Sequence, residues 1–222
     1  MKIRTIKSML MALCIALACV ALPVSAASND AAVRKLEKKM AAAQPTTNLS
    51  IAMRQLWEEH IVYTRNFIIS GLAGLEDAGP IAERLLRNQD DIGNAIKPYY
   101  GDEAGNKLTA LLREHILIAA DIVKAAKAGD NAGVGAGQKA WLANADDIAA
   151  FLSSANPNWP KPVLTEMLHK HLDLTTKEVV SRLQKDWKGD IDAYDQGHVH
   201  MLMFSDMLTS GIIKQFPKKF AK

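Results

Sequence analysis

Four histidines in this chain fall where a helix would bury them. Met53, Trp57, His60, Thr64, Phe67 and Gly71 step by three or four residues, so His60 lies inside an apolar helical stripe. Leu108, Leu112, His115, Ala119 and Ile122 do the same for His115, and Leu164, Leu168, His171 and Leu174 for His171. His200, Met203, Met207 and Gly211 form a fourth such stripe. Neutral imidazole is a common metal ligand, and a bundle interior is where facing helices converge ligands. The expected centre is therefore a zinc, copper or iron ion held by His60, His115, His171 and His200. Glu59 and Glu114 each precede a histidine and lie about 100° round the helix from it. That places them as further ligands or as acceptors for a ring N–H. Asn88, between Leu85 and Ile92, and Asn144, between Trp141 and Ile148, face inward by the same spacing. The competing reading is a purely structural or partner-binding bundle whose buried His and Asn residues satisfy one another. Burial without partners costs about 1–3 kcal/mol per group, so both readings require hydrogen bonds at these positions.

Two other metal sets share some of these residues. Glu166-x-x-His169 and Asp195-x-x-His198, with Glu59 and Glu114, have the spacing of a di-iron carboxylate bundle, but that register turns His171 and His200 outward. Met203 and Met207 beside His200 are soft enough for Cu(I), although methionine at helical spacing also fills cores. Whether the chain is an enzyme stays open: it has no G-x-S-x-G and no H-E-x-x-H. Gly133, Gly135 and Gly137 lack the strand context of a phosphate loop and read as turn and close packing.

The elements that must position these residues are written twice. Leu56-Trp57-Glu58-Glu59-His60-Ile61 returns as Leu111-Leu112-Arg113-Glu114-His115-Ile116, and Asn88-Gln89-Asp90-Asp91-Ile92 as Asn144-Ala145-Asp146-Asp147-Ile148. Self-similarity over this length implies a duplicated helical hairpin. Asn156 to Pro162 is a rigid connector, and Val163 to Gln215 supplies two more helices with a break near Trp187 to Asp190. The expected fold is all-α: an up-and-down helical bundle built on a duplicated helical hairpin plus two C-terminal helices. It occupies residues 48–222, after an N-terminal arm over 27–47 that ends in a break at Gln44-Pro45-Thr46-Thr47.

Residues 1–26 read as a signal peptide: Lys2, Arg4 and Lys7, an apolar run from Met9 to Leu22, and Val24-Ser25-Ala26 before the cleavage point. The chain is thus expected to be exported, periplasmic or secreted, with a lipoprotein at Cys19 the lesser alternative. The run is too short to span a bilayer, so no transmembrane segment is expected in the mature chain. Cleavage takes three of the 27 basic residues and none of the 24 acidic ones, which turns a net charge of +3 into zero. A balanced chain gives no electrostatic case for nucleic acid. Both cysteines, Cys14 and Cys19, leave as well, and with them any thiolate chemistry. Nothing in the sequence specifies a protein partner.

Thr64-Arg65-Asn66, Asn88 to Ile96, Tyr99-Tyr100-Gly101, Ala155 to Trp159 and Gly211 to Pro217 resemble a family of small bacterial proteins. The resemblance covers most of the mature chain and implies a helical fold. Some members carry the label glycosyltransferase. That activity would need a nucleotide-sugar fold with a D-x-D motif at a strand, for which this chain has no context. The resemblance implies no catalytic residue.

Overall fold

The computed structural model describes residues 26–221, so nearly all of the expected export segment lies outside the described residues. Six helices follow one another: α1 (Ala26–Ala73), α2 (Ala78–Ala128), α3 (Asn131–Ala155), α4 (Lys161–Leu183), α5 (Trp187–Gln215) and the short α6 (Pro217–Phe220). There is no strand among the described residues, and the fold is an all-α bundle. Residues up to Met40 form one compact unit and those from Ala41 onward another. In the described part of the first unit Val33, Leu36 and Met40 are exposed.

Two boundaries differ from the sequence expectation. The break at Gln44 to Thr47 is absent, since Pro45 lies inside α1. Thr46 Oγ1 donates to Ala43 O at 2.7 Å and Ser50 Oγ to Thr46 O at 3.0 Å, side-chain bonds that engage carbonyls beside the proline. The glycines at 133, 135 and 137 do not delay α3, which begins at Asn131 with Asp130 Oδ1 accepting from Gly133 N at 2.9 Å.

The second unit alternates direction. The turns after α1, α2 and α4 lie at one end, which we call the turn end. The bend inside α2, the α3–α4 connector and Phe216 lie at the other. That bend is at Gly101, with φ 84° and ψ 171°, a conformation L side chains rarely adopt. Its two arms then approach closely: a Cβ on Gly93 would fall 2.7 Å from Gly105 O, and one on Gly105 would fall 2.7 Å from Gly93 O. The far end is held by side chains. Asn156 Nδ2 donates to Tyr100 Oη at 2.8 Å, Tyr100 Oη to Gln215 Oε1 at 2.8 Å, and Gln215 Nε2 to Ala155 O at 3.1 Å. Trp159 packs so tightly on α5 that a Cβ on Gly211 would meet its Nε1 at 1.9 Å.

The main core runs from Met53 and Trp57 through Ile92, Leu112, Ile148 and Leu164 to Phe204 and Ile212. A separate small cluster of Ile68, Val123 and Val179 sits nearer the turn end. Substituting Gly93→Ala or Gly105→Ala should lower the melting temperature, at a cost of about 1–3 kcal/mol for overpacking. Gly79→Ala, where a Cβ meets nothing within 4 Å, should be neutral or slightly stabilising in the same thermal scan.

A buried histidine cluster at the head of a cavity

The space between the two clusters is a cavity of about 70 Å3. Its walls are mostly apolar, with Phe67, Ile116, Ala119 and Ile122 beside the polar Gln138 and Thr176, and its head is His60, His115 and His171. It reaches outward past half-buried Val134 and exposed Val180. Such a volume takes two or three waters, or the polar end and first few heavy atoms of a ligand whose remainder extends outward past Val180.

Each histidine is brought to the head by a different helix. His60 comes from α1, His115 from the second arm of α2, and His171 from α4; they are 2%, 3% and 3% exposed. The His60 and His171 ring centroids are 5.7 Å apart, and those of His115 and His171 6.0 Å. A tryptophan backs each of the first two: Trp57 lies edge-on to His60 at 5.6 Å and Trp141 tilts over His115 at 5.1 Å.

The amides fix the rings. Asn88 Nδ2 donates to Leu56 O at 3.0 Å and Asn144 Nδ2 to Leu111 O at 3.1 Å. His115 Nδ1 then meets Asn144 Oδ1 at 2.8 Å. His60 Nδ1 instead meets Gln89 Nε2 at 3.3 Å, an amide nitrogen whose two hydrogens are shared among His60 Nδ1, Leu85 O at 2.8 Å and Asn88 Oδ1 at 3.1 Å. Two residues therefore do around His60 what Asn144 does alone around His115. Gln89 was missed in the sequence, although it stands 29 residues after His60 as Asn144 stands 29 after His115. Among the described residues His171 Nδ1 is buried with no hydrogen-bond partner.

The remaining expected residues lie elsewhere. His200 is half-buried and its Nε2–H donates to Met167 O at 2.7 Å; Met203 beyond it is exposed. Glu59 pairs with Arg84 at 2.6 Å and Glu114 is exposed, so neither meets a histidine of the head. The di-iron set is dispersed, with His169 donating to Asp146 at 2.9 Å and His198 lying 3.5 Å from Glu58. Among the described residues no three His, Cys, Asp or Glu side chains stand as they would to hold a metal ion. The head offers suitable imidazoles. Only His115 has the Nδ1–H to acceptor bond that prepares an Nε2 lone pair for a metal.

Near the turn end, outside the cavity lining, stands a charged network that the sequence reading does not include. Arg65 reaches Glu178 at 2.7 Å and also pairs with Asp190, which Arg182 contacts at 2.8 Å. Glu178 follows His171 by seven positions, two helical turns, so the stripe that found His171 points to it as well. Burial raises its carboxyl to about 7 against the pull of Arg65. At Asp190 burial also acts upward, but the hydrogen bonds and charges of Arg65 and Arg182 hold it low.

Burial has the opposite effect on the imidazoles, because it disfavours the cation. It lowers His60 to about 3, with the nearby His115 adding to it, and His115 to about 4. His171 is driven well below its ordinary value by burial and then by its histidine neighbours. No known family, curated protein or solved structure matches this chain.

A pH dependence follows. Below about pH 6.5 the unfolded chain takes up protons at these histidines while the folded chain does not, so acid removes stability. Glu178 works the other way between 4.5 and about 7, where the folded protein keeps a proton the unfolded chain has lost. Three histidines against one carboxyl leave about two protons, or ~3 kcal/mol per pH unit near pH 5. Urea unfolding at pH 7, 6 and 5 should show this decline, and His171→Phe should make it shallower.

Proposed function

We propose that this protein is a binding protein for a small, largely apolar molecule, which enters the bundle from the turn end and places its polar group against His60, His115 and His171. One observation carries the reading: the interior that a purely structural network would fill is left as a cavity of about 70 Å3 walled mainly by apolar side chains. Empty apolar space in a core forfeits dispersion contacts and lowers stability. A few polar groups converging on one end of an apolar pocket is the common form of a small-molecule site. Export, from the N-terminal segment, would put that ligand in the periplasm or outside the cell.

The test is a titration of the purified, tag-free protein with hexan-1-ol, followed by tryptophan fluorescence, to which Trp141 on the cavity wall contributes, and by melting temperature. Binding should be saturable and should raise the melting temperature. Ala119→Leu fills the cavity from its wall and should abolish binding while keeping the fold. An unchanged affinity in that variant overturns the reading.

A metal ion at the same head is the second reading, favoured by three uncharged imidazoles and by the Asn144 bond to His115. It requires His60 to reverse the nitrogen it presents, since its Nδ1 faces an amide donor. Zinc, copper or iron retained after purification, and lost in His60→Ala with His115→Ala, would favour it. No retained metal, and no change in melting on adding the ions, would remove it.

A further inference from the structure

The two amide-bound histidines at the head are not equivalent, and the difference tells what they can grip. Asn144 spends its Nδ2 hydrogens toward Leu111 O, which turns Oδ1 to His115. A carbonyl oxygen only accepts, so Nδ1 of His115 carries its proton and Nε2 is a bare lone pair. At His60 the logic reverses. Asn88 is locked by its bond to Leu56 O, so its Oδ1 is an acceptor, and with Leu85 O it fixes which end of the Gln89 amide is nitrogen. That nitrogen faces Nδ1 of His60 at 3.3 Å. Two N–H groups cannot usefully face each other, so Nδ1 of His60 is bare and Nε2 carries the proton.

Among the described residues neither Nε2 has a protein partner, and both rings line the cavity. The two amide-held rings thus present one N–H donor, from His60, and one acceptor, on His115, while the third ring, His171, is packed against both and adds its own N–H and lone pair with neither tautomer fixed by an amide. No Lys, Arg, Asp or Glu lines this cavity to balance a charge. A carboxylate would bring two acceptors against the bare nitrogen of His115. An ammonium would bring only donors against the N–H of His60. Both would carry an unpaired charge into an apolar pocket.

We propose that the head selects an uncharged group that donates and accepts at once, a primary amide above all, on a short aliphatic tail. This rests on the cavity being a ligand site. The amide oxygen would take the His60 Nε2–H, an amide N–H would go to His115 Nε2, and the tail would run between Ala119 and Ile122 toward Val180.

Two measurements decide it. Nitrogen-15 spectra of the imidazoles in the free full-length protein should show His60 protonated at Nε2 and His115 at Nδ1; like tautomers, or the reverse pair, overturn the proposal without any ligand. Titration with butyramide, butan-1-ol, butyrate and butylamine at pH 7 should find butyramide tightest, the alcohol detectable, and both ions about tenfold or more weaker. If all four bind alike, or an ion binds best, the head selection falls while the pocket stands. If none binds, and hexan-1-ol also fails, the pocket reading falls with it.

Discussion

An asparagine side chain donating to a backbone carbonyl one helix away is the bond on which the interior depends. Asn88 to Leu56 O and Asn144 to Leu111 O tie neighbouring helical segments together at the level of the histidines. They also orient the two amides, and the amides in turn orient the rings. A buried imidazole has no solvent to rescue a wrong tautomer, so what lies beside Nδ1 determines what Nε2 can do. Replacing either asparagine with an aliphatic residue would remove the second hydrogen bond on that helix carbonyl and leave a histidine undirected.

Around that level the bundle is anchored unevenly. The far end is closed by Tyr100, Asn156 and Gln215 in a hydrogen-bonded chain, with Trp159 pressed against Gly211. The turn end is held differently, by Arg65 and Arg182 on the carboxylates of Glu178 and Asp190.

Much of this was legible, and the rest was hidden for identifiable reasons. Helical spacing placed His60, His115, His171, Asn88 and Asn144 inward because long, regular helices carry their apolar stripe without interruption. It misplaced His200 because α5 has two candidate stripes: Gly197, Met201, Phe204, Leu208 and Ile212 are buried, and His200 sits at their border. Pro45 reads as a break because proline removes a helix bond, yet α1 runs through it, so one lost bond is tolerated there. Gln89 escaped because the repeat was aligned on Asn88, one residue away from the amide that meets the ring. Tautomers lay beyond sequence altogether, since they come from which amide end faces which nitrogen in three dimensions.

The small cluster of Ile68, Val123 and Val179 has a kinetic meaning. Three buried side chains, cut off from the main core by a void, contribute little to the cooperativity of the whole. Amide hydrogens at the turn end should then exchange with solvent through local openings, while those near Trp159 and Phe204 exchange only on global unfolding. Such partial melting would admit a molecule to the head of the cavity without disturbing the closed far end. The rate at which this end breathes, rather than the width of any static mouth, would set how fast the cavity fills.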